Sequence, residues 1–419
     1  MEIQSNDIVL KISLQEQYIR AVLPVFQVFS KQNDMEEKTA LRFQLTAEEF
    51  LIYFKHLFPD EKIEIRIYTK GKYCSVLFTV YQKEIDLSGL NLVNPYREEQ
   101  DENDRQDNLS LLLISRSVDK LDVFLPAPGT CSIEASFERF SAVSDFGGHY
   151  QKTEEPFRAV RDNNVLLQSL QLGGSLYPGL QQESCFRKPE GFLADRDAGG
   201  LDYICAVDHR GIPAAFLYWR ADHGTISFFG PYVFSENEAE KAAAFTVEQF
   251  LSKVGKEECY CVVSGGDLPD CCKKYFEIQN GVCYRNVKED GGGIVWSSAG
   301  MMPVLKKAFE DMDYSREILP ARFMPVQEKS LINTRTDREH SRMELVPLII
   351  GRDFPHVLEA HVKALAANGE FRITIPFCLN DMLQASAMDF AEQCGFSFYY
   401  FLPGAGTADK VVMAYDADI

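Results

Sequence analysis

Hydrophobic and polar positions change period many times along this chain, and each change marks an element. Ile8–Leu14 alternates as a strand does, and Glu16 to about Lys31 carries Ile19, Val22, Leu23, Val25, Phe26 and Phe29 at helical spacing. Lys38–Phe58 is predicted to be a second helix, stopped by Pro59, and Lys62–Tyr68 and Tyr73–Tyr81 are predicted strands around a turn at Lys70–Lys72. An acidic loop, Arg97–Asp107, separates them from a predicted helix at Leu109–Val118 and strands at Asp122–Leu125 and Ser132–Phe137.

Phe146–Glu155 is polar, contains glycines and ends at Pro156, the pattern of a linker. A short strand at Phe157–Val160 and a helix at Asp162–Leu172 follow. Gly173–Gly200 has no clear period and is either a long loop or a pair of short helical turns. Leu201–Val207 and Ala214–Arg220 form a predicted hairpin, and Thr225–Phe234 is the next strand. A helix over Asn237–Val254 opens with Ser235 and Glu238 in capping-box spacing. Cys259–Val263 is then a strand, Leu268–Phe276 a helix and Val282–Val287 a strand.

In the last third, Pro303–Met312 is helical and Tyr314–Pro325 irregular. Strands at Gln327–Thr334 and Arg342–Ile350 flank a charged turn, Arg335–His340. Phe354–Asn368 and Asn380–Cys394 are helices ended by Gly369 and Gly395, with a strand at Phe371–Phe377 between them and a hairpin of Phe396–Leu402 and Lys410–Tyr415 after them. Strand, long helix, strand, shorter helix, strand thus occurs twice, a coarse internal repeat. The pattern predicts an α/β (α+β) protein of three domains, 1–145, 156–300 and 301–419.

Composition narrows the function. The chain has 419 residues, 46% of them hydrophobic, and 62 acidic against 43 basic residues give a formal charge of −19. That charge repels phosphate, so neither nucleic acid nor an anionic membrane is an expected partner. No apolar run approaches the length of a membrane span, and MEIQSNDIVLKISL lacks the pattern of a signal peptide. Eleven cysteines, most of them inside apolar runs, suit a reducing compartment, and a cytoplasmic location is expected. Cys259, Cys261, Cys271, Cys272 and Cys283 lack the paired loop spacing of a zinc site and are expected to be small buried hydrophobes, so no metal site is predicted. Asp208–His209 and Asp222–His223 have the composition of turns.

Two resemblances follow from particular residues. LTAEEFLIYFKHLF (Leu45–Phe58) and NLSLLLI (Asn108–Ile114) resemble the GHKL ATPases, in their small anti-sigma-factor kinase branch. Glu48 and His56 fall at that family's positions, but Ile52 stands where an asparagine binds Mg²⁺, and a hard cation needs oxygen. YQKEID replaces the adenine-binding Asp-x-Gly, and Asn108-Leu109-Ser110 replaces Gly-x-Gly. The resemblance implies a GHKL-like sandwich with ATP–Mg²⁺ binding lost.

ISFFGPYVFSENEAEKAAAFTVEQFLSKV (Ile226–Val254) with DCCKKYFEIQNGV after it resembles the GNAT N-acyltransferases. The tail AMDFAEQCGFSFYYFLPGAGTADKVVM resembles the C-terminal part of GNAT-like domains fused behind anti-sigma-type ATPase domains of bacterial type, with Phe390 near the place of an active Tyr. The first likeness implies acetyl-CoA or another acyl-CoA lying along Phe228–Phe234 and held by Tyr232, Val233, Phe234, Ser235 and Asn237. Tyr275 is implied as the general acid and Gly281 as the family's glycine. Active members carry glycines at the helix start, whose amides cradle pyrophosphate. SENEAEKAAA has none, and Glu236, Glu238 and Glu240 crowd the anion position.

Two functions remain open. One is an acyl-CoA-dependent N-acyltransferase with a regulatory pseudo-ATPase domain. The other is a non-enzymatic scaffold built from the same folds, whose charge suits a basic protein partner or self-association. An open V between the strands at Phe228–Phe234 and Cys259–Val263, with free amides, favours the first. A cleft filled by Phe, Tyr or another domain favours the second.

Overall fold

Alternation along residues 62–70 builds the first sheet. Ile63, Ile65 and Ile67 turn inward and are fully buried, while Glu64 and Arg66 turn to the other face. The computed structural model describes residues 7–58, 61–81, 87–91, 93, 117–127, 129–143, 146–177, 184–222, 224–257, 259–289, 292–337, 342–367, 372–404 and 409–415. The acidic loop Arg97–Asp107, the Asn108-Leu109-Ser110 segment, most of the predicted helix Leu109–Val118, residues 82–86 of YQKEID and His223 lie outside the described residues.

The chain forms two units, of which the first comprises Met1–Ser141, Pro325–Thr336 and Met343–Gly369. It begins with β1 (Ile8–Ser13), α1 (Glu16–Gln32), α2 (Glu37–Leu57), β2 (Lys62–Lys70), β3 (Tyr73–Val80), β4 (Lys120–Ala127) and β5 (Thr130–Glu138). These strands make an antiparallel sheet in the order β1-β2-β3-β5-β4. Phe26, Phe43, Phe50 and Phe54 from the two helices are fully buried in its core. Phe43 meets Phe26 and Phe137 edge-on at 5.5 and 5.4 Å.

The second unit comprises Ala142–Met324, Asp337–Arg342 and Glu370–Ile419. Its first elements are β6 (Arg158–Val160), α3 (Asn163–Leu176), α4 (Ser184–Arg187), α5 (Pro189–Asp197), β7 (Asp202–Val207), β8 (Pro213–Asp222), β9 (Thr225–Val233), α6 (Ala239–Val254), β10 (Cys261–Ser264), α7 (Asp270–Lys273), β11 (Glu277–Gln279) and β12 (Val282–Asn286). They form a seven-stranded mixed sheet, β11-β12-β10-β9-β8-β7-β6, in which β9 and β10 are parallel and the other neighbours antiparallel. Helices cover both faces. Ile204, Leu217 and Trp219 pack in one core with Val247 and Phe250 of α6, whereas their neighbours Tyr203, Cys205, Phe216 and Tyr218 pack in another with Leu166 and Leu170 of α3. Burial on both faces explains why β7 and β8 are continuous apolar runs.

Three expectations need correction here. The helix predicted to end at Leu172 runs on to Leu176, and two short helices, α4 and α5, follow it. Gly173 and Gly174 allow this: a Cβ on Gly173 would stand 2.3 Å from the Phe186 ring. The helix predicted over Leu268–Phe276 is a single turn. Phe276 leaves it to stack on Phe228 at 5.2 Å, and Asn280 and Gly281, with φ of 48° and 83°, close the β11–β12 hairpin. Tyr314–Pro325 is not all irregular, because β13 (Gly293–Ser297), α8 (Met302–Asp311) and β14 (Arg316–Pro320) form a parallel pair with its helix.

Next come β15 (Leu331–Asp337), β16 (Arg342–Ile349) and α9 (Phe354–Ala366), most of which belongs to the first unit. Leu331 and Ile349 join its core, and Asn91 accepts from the Ile332 amide at 2.8 Å and donates to the Ser330 carbonyl at 2.9 Å. The second unit ends with β17 (Arg372–Cys378), α10 (Met382–Gln393), β18 (Phe396–Leu402) and β19 (Lys410–Tyr415), with β19 antiparallel to both β17 and β18. The protein is α/β, as the periodicity predicts. Among the described residues no helix is long and apolar enough to cross a membrane.

Candidate functional site

Strand β9 lies beside β8 for most of its length but beside β10 only from Thr225 to Phe228. The last bond between the parallel pair runs from the Gly265 amide to the Phe228 carbonyl, at 2.8 Å. Beyond it the strands part, and β9 is irregular. Its register against β8 shifts, and Gly230 takes a φ of +94°, where a Cβ would stand 2.8 Å from the Phe216 carbonyl oxygen.

Strand alternation decides which groups face the opening. The amides of Phe234 and Ser235 donate to Ala214 on the β8 side, at 2.8 and 3.2 Å. The amide and carbonyl of Val233 therefore face the opposite edge, where β10 has departed. Tyr177, just after α3, fills that place. The Val233 amide donates to its hydroxyl at 2.7 Å, and the hydroxyl donates to the Val233 carbonyl at 3.2 Å. Burial pushes the Tyr177 hydroxyl up to about 12, so it keeps the proton that this second bond requires. Its ring meets Tyr232 edge-on at 5.3 Å, and Phe186 meets Tyr232 at 4.7 Å. Nearby, the Phe229 ring occupies the space over Gly265, where a Cβ would lie 2.3 Å from it.

The turn into α6 is equally engaged. Ser235 is buried, and its hydroxyl accepts from the Glu238 amide at 2.9 Å. The same oxygen accepts from Thr153 at 2.8 Å. The capping box expected from the spacing is not formed, because Glu238 is itself the residue before α6 and makes no side-chain cap bond, and the Ser235 amide donates to Ala214. Asn237 accepts from the Thr153 amide at 3.0 Å and donates to its carbonyl at 2.8 Å. The Gln151 amide donates to Phe234, and the Glu236 amide donates to Gln151. Phe146–Glu155, predicted as a linker, thus carries a stretch, Gln151–Thr153, bound along the turn, with Thr153 fully buried. Two amides that an anion would use, those of Glu236 and Glu238, are spent within the chain.

No protein-family model and no curated protein matches this chain. Among solved structures it is similar to aminoglycoside 6'-acetyltransferase type Ii, at 12% identity over 32% of this chain and 98% of that one, with a TM-score of 0.25.

The structure gathers Tyr232, Val233, Phe234, Ser235 and Asn237 around one turn, but not Tyr275. The Tyr275 hydroxyl donates to Glu248 at 2.6 Å, and that bond, with burial second, pushes it up to about 12. Glu248 lies nine residues beyond the start of α6, about 14 Å along its axis. In the first unit, Glu48, Ile52 and His56 share one stripe of α2, with His56 exposed. Among the described residues no group of three or more His, Cys, Asp or Glu could hold a metal ion. All eleven cysteines are free thiols, and burial pushes Cys259 up to about 11 and Cys261 up to about 12.

Sequence reasoning missed Tyr177 and Thr153. Neither belongs to a motif: one lies near the start of the aperiodic stretch Gly173–Gly200, and the other sits in a polar run. At the far end of β7 and β8 a cleft of about 690 Å³ is lined by Arg161, Arg196, Asp202, Trp219 and Glu257. There Arg161 donates twice to Asp202, at 2.7 and 2.6 Å, so its charge is already matched.

Proposed function

We propose that the seven-stranded sheet is a GNAT-like fold serving as a protein-binding module, its acyl-CoA groove closed by the chain's own side chains. The observation that carries this reading is the Tyr177 hydroxyl, which takes both backbone groups of Val233 that face the opening. A cofactor lying along β9 would have to displace that hydroxyl and leave it without its partners in a buried place, at a cost of about 1–3 kcal/mol. The engaged amides of Glu236 and Glu238 and the acidic residues around them oppose a pyrophosphate.

In the same reading, the first unit is a GHKL-like regulatory domain that has lost ATP. Its support is Ile52, an apolar side chain between Glu48 and His56 on the α2 stripe. The formal charge of −19 suits a basic protein surface as the partner, in the cytoplasm.

Calorimetry tests this directly. Titration with acetyl-CoA, and separately with ATP–Mg²⁺, is expected to give no heat. Micromolar acetyl-CoA binding, lost when Tyr232–Asn237 is rebuilt, would instead make the protein an N-acyltransferase with an unusual phosphate loop. Binding that appears only in Tyr177→Ala would show that the groove is intact beneath its plug.

A further inference from the structure

Neighbouring positions on a helix point about 100° apart, so consecutive side chains usually diverge. Cys271 and Cys272 on the one-turn helix α7 do not: their sulfurs lie 3.8 Å apart. Cys271 is half-buried, with its sulfur 3.8 Å from the Glu240 carbonyl in the first turn of α6. Cys272 is buried in the core that holds Phe250 and Phe276. One thiol is reachable from solvent and the second stands directly behind it.

We infer that Cys271 and Cys272 form a vicinal dithiol that binds a soft, thiophilic centre through two sulfurs, with a trivalent arsenical as the ligand class. The absence of a cluster of three or more ligands among the described residues argues against tetrahedral zinc, which takes four. Thiolate sulfur selects soft centres, and an organic trivalent arsenical needs two sulfurs only. Each S–H reacts with one As–OH, an S–As bond forms, and the thiol proton leaves with the hydroxide as water. Two thiols thus release two waters, and arsenic stays trivalent, so no oxidant is required. The site is independent of the groove reading, because it needs neither Tyr177 nor an acyl-CoA.

Phenylarsine oxide is the probe, with intact-mass spectrometry of the full chain as the readout. The native protein is expected to hold one arsenical that survives excess glutathione and is released by 2,3-dimercaptopropanol. Cys271→Ala, a change at a half-exposed position, is expected to lose the glutathione-resistant adduct, while Cys283→Ala keeps it. Cys272→Ser should behave as Cys271→Ala does, and a circular-dichroism spectrum checks that it still folds. No resistant adduct on the native protein, or its survival in Cys271→Ala, would overturn the inference.

Discussion

The turns that open α6 and α9 stand at matching places in two stretches of the same element order, β9–α6–β10–α7–β11 and β16–α9–β17–α10–β18. The strand that follows each stretch lies antiparallel to the last two strands within it, β12 to β10 and β11, and β19 to β17 and β18. The polar groups differ. Before α6, Ser235 and Asn237 are bonded to Thr153, and Ser235 also accepts from the amide of Glu238, the residue before the helix. Asp353 before α9, like Glu238 before α6, occupies the cap position without a cap bond, but both Asp353 carboxylate oxygens are buried with no partner among the described residues. The eighth helix residues repeat the contrast. Thr246 donates to Ala242 at 2.7 Å and is satisfied. His361 donates through Nδ1 to Val357 at 2.8 Å, and its buried Nε2 has no partner among the described residues. Apolar periodicity holds the element order in both stretches. Polar satisfaction makes the first turn closed and leaves the second with groups that cost stability.

The largest effect expected from this contrast is at Gly351. A Cβ there would stand 2.6 Å from the carbonyl carbon and oxygen of Lys329, which are backbone and cannot swing aside. Gly351→Ala is expected to lower stability by about 2–3 kcal/mol in urea unfolding. Glu236→Ala, at an exposed position of the other turn, should cost little. Equal effects would mean that the second turn is as adaptable as the first.

Next in size is a pair of opposite sign. Ser235→Ala removes the acceptor for both Glu238 and Thr153 and should cost about 1–2 kcal/mol. Asp353→Asn removes a buried carboxylate that lacks partners and should raise stability by about 1 kcal/mol. Thermal melts of the two variants decide the matter. A loss at Asp353→Asn would show that the carboxylate has a partner in solution.

Much of this was legible in the chain. The helices α2, α6, α9 and α10 and the strands of the hairpins follow from spacing alone, because burial of one face imposes the period. The separation of Ser235 and Glu238 marks a bonded turn before α6 but not a helix cap, because Glu238 is itself the residue before the helix. What stayed hidden depends on backbone bonds and on close approach. Thr153 binds the turn mainly through its amide and carbonyl, which leave no mark on residue type. Tyr177 reaches Val233 only because α3 continues through two glycines, residues that ordinarily argue against a helix. Gly281 is the glycine that the resemblance implies after Tyr275, across a gap longer than usual, yet with Asn280 it forms a hairpin turn, while Tyr275 turns to Glu248. Periodicity likewise predicts β15 and β16 without saying that Leu331 and Ile349 join the first core.

The smallest effect is a slope with pH. Burial lowers the pKa of His361, so the native helix resists a proton that the unfolded chain accepts near the ordinary value of about 6.5. The unfolded state then binds more protons, and stability rises with pH wherever that difference exists. The proton-linked penalty of His361 is therefore absent above about pH 6.5 and grows as pH falls from there to the lowered native value. His361→Gln should flatten that part of the stability–pH curve, whereas Thr246→Val in α6, which has no titrating group to lose, should shift the curve without changing its slope. Chemical unfolding at half-unit steps from pH 5 to 8 measures both, and an unchanged slope in His361→Gln would mean that a solvent path reaches Nε2 and that α9 is better satisfied than its partners indicate.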